Sequence, residues 1–162
     1  MDILRSHILY IEDHEDTQEL VTLVLAESNH RVTTTSSSKD ALKLARLHQF
    51  DLYILDSWLA DGTGIELCQR LREFDRVTPI MFFSAAAYET DKQAALDNGA
   101  QCYLVKPADI KVLRDQVNAL IYAFRNNRDE SRRIPRSHPS LNGGAEECTI
   151  SLALPNSISV VS

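Results

Sequence analysis

The sequence predicts an α/β fold built on a doubly wound, five-stranded parallel sheet. Three observations predict it: five short apolar runs recur, segments with helical periodicity lie between them, and the two types alternate along the chain. Most of the runs are apolar at consecutive positions, which is typical of strands buried on both faces of a parallel sheet. Right-handed crossovers between such units favour the flavodoxin-like strand order 2-1-3-4-5 in a three-layer sandwich.

Each predicted strand is followed by a helix with one apolar face. In chain order, the predicted strands are Ile8–Ile11, Val32–Thr35, Leu52–Leu55, Ile80–Phe83 and Cys102–Val105. The clearest helical faces are Thr17, Leu20, Val21 and Val24; Ala41, Leu44 and Ala45; Leu67, Leu71 and Phe74; and Leu113, Val117, Leu120, Ile121 and Phe124. Capping signals agree with these helices: Ser37 with Asp40, Thr63 with Glu66, Thr90 with Gln93, Asp109 before the last helix, and Gly99 after the fourth.

The chain is expected to divide into a domain, residues 1–124, and a tail, residues 125–162. The tail contains Asn-Asn, Arg-Arg and Gly-Gly pairs and many serines without helical period, so we expect a low-complexity segment that is disordered up to about Ala145. Two stretches within it, Thr149–Leu154 and Ile158–Val161, have strand propensity. Docking of these stretches on the domain is left open.

Composition argues against several classes of protein. With 162 residues, 44% of them hydrophobic, the chain can bury a core, but no apolar stretch is long enough to span a bilayer. No apolar segment follows Arg5, so a secretory signal is not expected. A net charge of −6 is unsuited to binding nucleic acid through its phosphates. Three cysteines without CxxC spacing fit a reducing cytoplasm better than disulfides or zinc.

Polar residues follow four of the predicted strands at the point where each ends. Glu12 and Asp13 follow the first strand, Asp56 the third, Ser84 the fourth and Lys106 the fifth. In an open α/β sheet ligands bind at the carboxyl ends of the strands, near the point where strand order reverses. Each residue alone could be a solvated charge or a loop cap. Their conjunction at equivalent positions favours a shared site.

The chemistry of this set points to a metal and a phosphoryl group. Three carboxylates held close together repel one another, which raises their pKa values unless a cation lies between them. Carboxylate oxygens completed by waters suit Mg²⁺. A metal-bound carboxylate beside a lysine and a hydroxyl can accept a phosphoryl group, because that transfer requires positioning and charge neutralisation.

The stretches that carry these residues match a known family. LYIEDHED, DLYILDSWLADGTGIEL, PIMFFSA and CYLVKP together resemble the receiver domain of bacterial-type response regulators, in its single-domain chemotaxis-type form, over roughly residues 6–124. The resemblance implies that Asp56 is the phosphoacceptor. It also implies that Asp13 binds Mg²⁺ directly, that Glu12 acts mostly through water, and that the backbone carbonyl of Trp58 completes the protein's share of the metal shell.

The same resemblance assigns the remaining positions. Lys106 pairs with the phosphoryl oxygens, Ser84 bonds another of them, and Tyr103 matches the aromatic switch that turns inward. Gly62 and Gly64 fit the turn into the third helix, and a cis Lys106–Pro107 bond is expected. This chain departs from the family at three positions: Ala60 replaces a common proline, Trp58 is large, and Ala86 offers no polar side chain.

The resemblance implies a cytoplasmic two-component response regulator and not an enzyme in the ordinary sense, since it catalyses only its own phosphotransfer and dephosphorylation. The expected partners are a sensor histidine kinase or phosphotransfer protein and a downstream effector protein, with no nucleic acid and no membrane. A homodimer through the face of the fourth helix, fifth strand and fifth helix is left open.

Two alternatives to this function remain. An aspartyl-nucleophile phosphohydrolase usually needs a second acid two residues after the first, where this chain has Trp58. An interaction module that is never phosphorylated would not need the acidic set or Lys106, both of which are present.

Overall fold

A parallel sheet lies between two layers of helices in the computed structural model, which describes residues 5–133. The strands are β1 (Ser6–Ile11), β2 (His30–Thr35), β3 (Leu52–Leu55), β4 (Trp58–Leu59), β5 (Gly62–Thr63), β6 (Ile80–Ser84) and β7 (Cys102–Val105). The helices are α1 (Glu15–Ala26), α2 (Ser38–Leu47), α3 (Gly64–Arg72), α4 (Glu89–Asp97) and α5 (Ile110–Arg133). Apart from the two-residue strands β4 and β5, strand and helix therefore alternate as the sequence predicts.

Five strands form the sheet in the order β2-β1-β3-β6-β7, and all of their pairings are parallel. This order confirms the predicted doubly wound, flavodoxin-like fold. The two remaining strands, β4 and β5, form a separate antiparallel hairpin directly after β3. The hairpin was not predicted, because two-residue strands are too short to show a period in the sequence.

Side chains from the two faces of the sheet enter two separate cores. From β1, Leu9 and Ile11 pack with residues of α2 and α3, whereas Ile8 and Tyr10 pack with residues of α1 and α5. Successive side chains of a strand point to opposite faces, so both sets must be apolar. This burial on both faces explains the unbroken apolar runs in the sequence.

Most of the predicted capping signals are confirmed. The Ser37 side chain accepts from the backbone of Asp40, and Thr63 with Glu66 forms a complete capping box. The other confirmed signals are Asp109, which accepts from the N–H of Lys111 at 2.7 Å, and Gly99, whose φ of 100° follows the end of α4. Thr90 was wrong as a cap. The helix begins at Glu89, which places Thr90 inside the first turn.

Two predicted apolar faces are partly wrong. In α1 the buried residues are Val21, Val24 and Leu25, whereas Leu20 is 54% exposed. Val21 and Val24 are therefore confirmed, whereas Leu20 was wrong and Leu25 was missed. Phe74 lies beyond the end of α3 and is 39% exposed, and the guanidinium of Arg46 stacks on its ring at 4.5 Å.

The final helix extends nine residues beyond the predicted domain boundary. The tail was expected to begin at Arg125, but α5 continues to Arg133. A contact between elements holds the start of this extension, because the Arg125 guanidinium pairs with the Asp51 carboxylate at 3.2 Å. A polar contact of this kind leaves no apolar period in the sequence. The rest of the predicted tail, residues 134–162, lies outside the described residues, together with its two strand-prone stretches.

Within residues 5–133 no helix combines the length and the apolar character needed to cross a bilayer. In the same range Cys68 and Cys102 are free and buried, and burial raises the pKa of each thiol to about 11.

Candidate functional site

The predicted site residues lie at the carboxyl ends of four adjacent strands. Glu12 follows β1, Asp56 follows β3, Ser84 ends β6, and Lys106 follows β7. Since β1, β3, β6 and β7 are neighbours in that order, the four side chains are delivered to one edge of the sheet. The structure joins all four in one hydrogen-bonded cluster. Apart from Lys106, which is partly buried, its members are buried.

Lys106 lies between the two buried carboxylates. Its Nζ is 2.7 Å from Oδ2 of Asp56 and also contacts Oε2 of Glu12. The same ammonium stands 5.3 Å from the centre of the Phe83 ring, within the range of a cation–π contact. The predicted lysine is therefore aimed at the predicted phosphoacceptor.

Asp56 is held through both of its oxygens. The Ser84 hydroxyl donates to Oδ1 at 2.7 Å, and the backbone N–H groups of Ser57 and Trp58 also donate to Oδ1. Burial alone would raise the pKa of Asp56, but the hydrogen bonds from Lys106 and Ser84 outweigh it and lower that pKa. The Asp56 side chain is therefore a carboxylate at neutral pH.

Glu12 is completely buried and accepts hydrogen bonds at both oxygens. The Tyr10 hydroxyl donates to Oε2 at 2.8 Å, and the backbone N–H of His14 donates to Oε1 at 3.2 Å. Burial and the adjacent Glu12 carboxylate raise the pKa of Tyr10, so its hydroxyl remains protonated at neutral pH. Tyr10 was not predicted as a site residue, although its position two before Glu12 in a strand places both on one face.

Oxygen ligands for a divalent cation lie at the mouth of this cluster. Glu12 and Asp13 each offer a carboxylate oxygen and His14 offers a ring nitrogen, and these three atoms lie within 4.8 Å of one another. Asp13 is exposed whereas Glu12 and Asp56 are buried, so the set is closed on one side and open to water on the other. Mg²⁺ keeps several waters and prefers carboxylate oxygens, so the carboxylates of Glu12 and Asp13 fit it and the imidazole of His14 does not. His14 was not predicted here.

Trp58 lies at the rim of the site. It is the first residue of β4, is 67% exposed, and lines a cavity of about 720 Å³ together with Tyr88 and the loop Ala85–Ala87. The family resemblance marked Trp58 as large for its position, and the structure accommodates the indole by projecting it outward. That its carbonyl binds a metal stays a prediction.

Tyr103 points inward and connects two loops of the site. Its ring stacks on Phe82 with centroids 5.7 Å apart, and its hydroxyl donates to the carbonyl of Ala86 at 2.7 Å. The hydroxyl also lies 3.1 Å from Oγ of Ser57, the residue directly after Asp56. Ala86 thus contributes its backbone where its side chain cannot. Ser57 was missed, although a hydroxyl next to the predicted phosphoacceptor was visible in the sequence.

The hairpin that follows Asp56 is fixed at both ends. At its tip, the Asp61 carboxylate accepts from the backbone N–H groups of Ser38 and Lys39, at 2.7 and 3.1 Å. At its end, a Cβ on Gly64 would lie 2.1 Å from the carbonyl oxygen of Asp56, so only glycine allows this approach. The predicted cis Lys106–Pro107 bond is also present.

Comparison with known proteins gives the family of this chain. The response regulator receiver domain family matches residues 8–118. Response regulator ArlR of Staphylococcus aureus is 36% identical over 116 residues, which cover 72% of this chain and 52% of that protein. The chain thus spans about half the length of the curated relatives it matches.

Solved structures agree with this assignment. The receiver domain of the Francisella response regulator 1452 is 26% identical with a TM-score of 0.70, covering 74% of this chain and 98% of that one. A CheY-like receiver domain protein from Methanospirillum hungatei, at 18% identity and a TM-score of 0.73, covers 76% of this chain and 98% of its own and shares the fold. The chain belongs to the response regulator receiver domain family of two-component systems.

Proposed function

We propose that this protein is a phosphorylatable switch that takes a phosphoryl group onto Asp56 from the phosphohistidine of a sensor kinase or phosphotransfer protein. The observation that carries the proposal is the position of Lys106, whose ammonium lies 2.7 Å from a buried Asp56 carboxylate that Ser84 contacts from the other side. A nucleophile, a cation and a hydroxyl donor are thus assembled around one point. Phosphoryl transfer requires this kind of positioning and charge neutralisation.

The transfer follows from these contacts. A carboxylate oxygen of Asp56 attacks phosphorus, a P–O bond forms as the P–N bond of phosphohistidine breaks, and the leaving imidazole keeps the electron pair and takes up a proton. Lys106 and Ser84, which contact the Asp56 oxygens at rest, move with their hydrogen bonds to the incoming phosphoryl oxygens. The lowered pKa of Asp56 keeps the nucleophile ionised.

A divalent cation completes the proposal. Glu12, Asp13, Asp56 and the Trp58 carbonyl would hold Mg²⁺, which when bound supplies positive charge next to the transferring phosphoryl oxygens. Asp13 is the exposed carboxylate of this set, and its exposure provides the route by which the ion and its waters enter. The fit rests on the type of donor and on this open side.

Output is proposed to occur in the cytoplasm through contacts with an effector protein. When Ser84 turns to the phosphoryl group, the loop after β6 shifts with it, because the Ser84 hydroxyl also accepts from the N–H of Ala86 at 3.3 Å. Ala86 in turn accepts from Tyr103. These two contacts connect the phosphoacceptor to the face formed by α4, β7 and α5. Catalysis is limited to the protein's own phosphotransfer and dephosphorylation.

The test is labelling by a small phosphodonor. We expect acetyl phosphate with Mg²⁺ to phosphorylate the full chain and Asp56→Asn to abolish labelling, as followed by phosphate-affinity electrophoresis and intact mass. Asp115→Asn is the matched control, because Asp115 is an exposed acid on α5. Labelling that persists in Asp56→Asn would place the acceptor on another carboxylate, with Asp13 the first to examine.

A further inference from the structure

A fully buried tyrosine in β1, Tyr10, donates a hydrogen bond to a carboxylate of the site. Tyr10 packs among the residues of α1 and α5, and its hydroxyl reaches Oε2 of Glu12 at 2.8 Å. Oε2 is also the oxygen that the Lys106 ammonium contacts. A contact chain therefore runs from the core to the phosphoacceptor through Tyr10, Glu12, Lys106 and Asp56.

Glu12 is in an unusual electrostatic position for a carboxylate. It is completely buried, and the cation that compensates its charge, Lys106, is shared with Asp56. An uncompensated buried charge is costly. If Lys106 turns toward a phosphoryl group, Glu12 loses the hydrogen bond from that ammonium, and the Tyr10 hydroxyl remains as a side-chain donor to the same oxygen. The hydroxyl thus lowers the cost of releasing the lysine.

We propose that Tyr10 is a positioning residue for phosphorylation, which holds Glu12 through its hydroxyl and so frees Lys106 to follow the phosphoryl group. This inference rests on the proposed function of Asp56. Without the Tyr10 hydroxyl, Glu12 retains Lys106 more strongly. Both the rate of phosphorylation and the affinity for a phosphoryl mimic then fall, while the fold is kept.

The chain offers a matched control. Tyr53 in β3 is also buried, and its hydroxyl donates to Oδ2 of Asp75 at 2.9 Å. Asp75 lies before β6, at the opposite edge of the sheet from Asp56. Tyr10→Phe and Tyr53→Phe therefore each remove one hydroxyl bonded to a carboxylate, but Tyr10→Phe alone touches the contact chain.

The experiment compares three quantities in wild type and the two variants: the free energy of unfolding in urea, the rate of labelling by acetyl phosphate, and the affinity for beryllofluoride measured by Trp58 fluorescence. We expect Tyr10→Phe to lower the labelling rate and the beryllofluoride affinity by about ten-fold, as for loss of one hydrogen bond to a charged group. Tyr53→Phe should lose stability without either change.

A double variant separates positioning from general loosening. In a Lys106→Ala background there is no lysine to release. Adding Tyr10→Phe should therefore leave the labelling rate and the beryllofluoride affinity at the values of Lys106→Ala alone. The inference is overturned if Tyr10→Phe behaves like Tyr53→Phe, or if its effect persists without Lys106. A wild-type chain that cannot be labelled overturns the proposed function and this inference together, whereas normal labelling in Tyr10→Phe overturns this inference alone.

Discussion

Lys106 explains why three acidic residues can share one edge of this sheet. Carboxylates that crowd together raise one another's pKa values, yet the pKa of Asp56 is lowered. The Lys106 ammonium contacts both Asp56 and Glu12, so each of these buried carboxylates has a cationic partner before any metal is considered. The consequence is a buried, ionised carboxylate, and under the proposed function its partners rearrange when a phosphoryl group arrives.

Trp58 gives this rearrangement an optical readout. Its indole is exposed at the rim, and its backbone N–H donates to Oδ1 of Asp56 at 3.4 Å. We expect Mg²⁺, and then beryllofluoride, to change intrinsic fluorescence in a saturable way, because each alters the charge next to this residue. Because the chain has one tryptophan, exciting tryptophan selectively over the five tyrosines gives the signal one source.

The same indole is expected to slow hydrolysis of the acyl phosphate by excluding water from the rim. Trp58→Asn should therefore shorten the phosphorylated lifetime by about ten-fold, an amount equivalent to ~1.4 kcal/mol in the barrier. The lifetime is measured by removing the donor and following decay on phosphate-affinity gels, with Tyr122→Asn, exposed on α5, as the control. Equal or slower decay in Trp58→Asn would contradict shielding.

The residues at strand ends could be predicted, and the residues that support them could not. Glu12, Asp56 and Lys106 follow apolar runs directly, so topology alone brings them together. Ser57 is different, because its contact with Tyr103 spans 46 positions and depends on how both side chains turn. A sequence read one element at a time contains no record of such a pair.

At the scale of elements, the link between the β4–β5 hairpin and α2 determines how firmly the loop after Asp56 is held. Asp61 at the hairpin tip accepts from two backbone N–H groups at the start of α2 and from the Ser37 hydroxyl. The carboxylate therefore meets N–H groups that have no partner within the helix.

This link predicts a pH dependence of stability. Slight burial opposes ionisation of Asp61, but the hydrogen bonds from Ser38, Lys39 and Ser37 outweigh it and lower its pKa to about 2. Because the folded-state pKa is below the unfolded value of about 3.9, the stabilisation is complete above pH 4 and is lost as pH falls through 2.

We therefore expect Asp61→Asn to lower the free energy of unfolding at pH 7 by up to about 1 kcal/mol, as for a weakened helix cap. The difference from wild type should shrink between pH 4 and pH 2, as measured by urea denaturation at each pH. Asp115→Asn should show a smaller, flatter difference. A deficit in Asp61→Asn that stays constant down to pH 2 would show that the carboxylate charge is not what holds α2.

At the scale of the whole molecule, periodicity predicted the architecture and failed at the end of the domain. The strand order follows from alternation and crossover handedness, which are properties of the chain as a whole. Periodicity did not show that α5 continues past Phe124, because the last two turns of the helix are polar. They are stabilised by the Arg125–Asp51 pair, which joins positions 74 apart, and by Arg128 over the Phe124 ring at 5.4 Å.

Two truncations test where the domain ends. A chain of residues 1–124 loses the Arg125–Asp51 pair, and the last turn before Phe124 loses the N–H donors of the following turn. We expect its free energy of unfolding to fall by about 2 kcal/mol, the range expected when a partly buried ion pair and a helix end are disrupted. A chain of residues 1–133 keeps both features and should retain the stability of the full chain, because the sequence after Arg133 lacks the apolar period needed to pack. Arg125→Ala in the full chain should reproduce about half of the loss, which assigns that half to the ion pair and not to the length of the helix.

Equal urea midpoints for the two truncated chains would mean that the polar end of α5 contributes nothing to the domain. A deficit in residues 1–133 would mean that the segment beyond Arg133 packs against it.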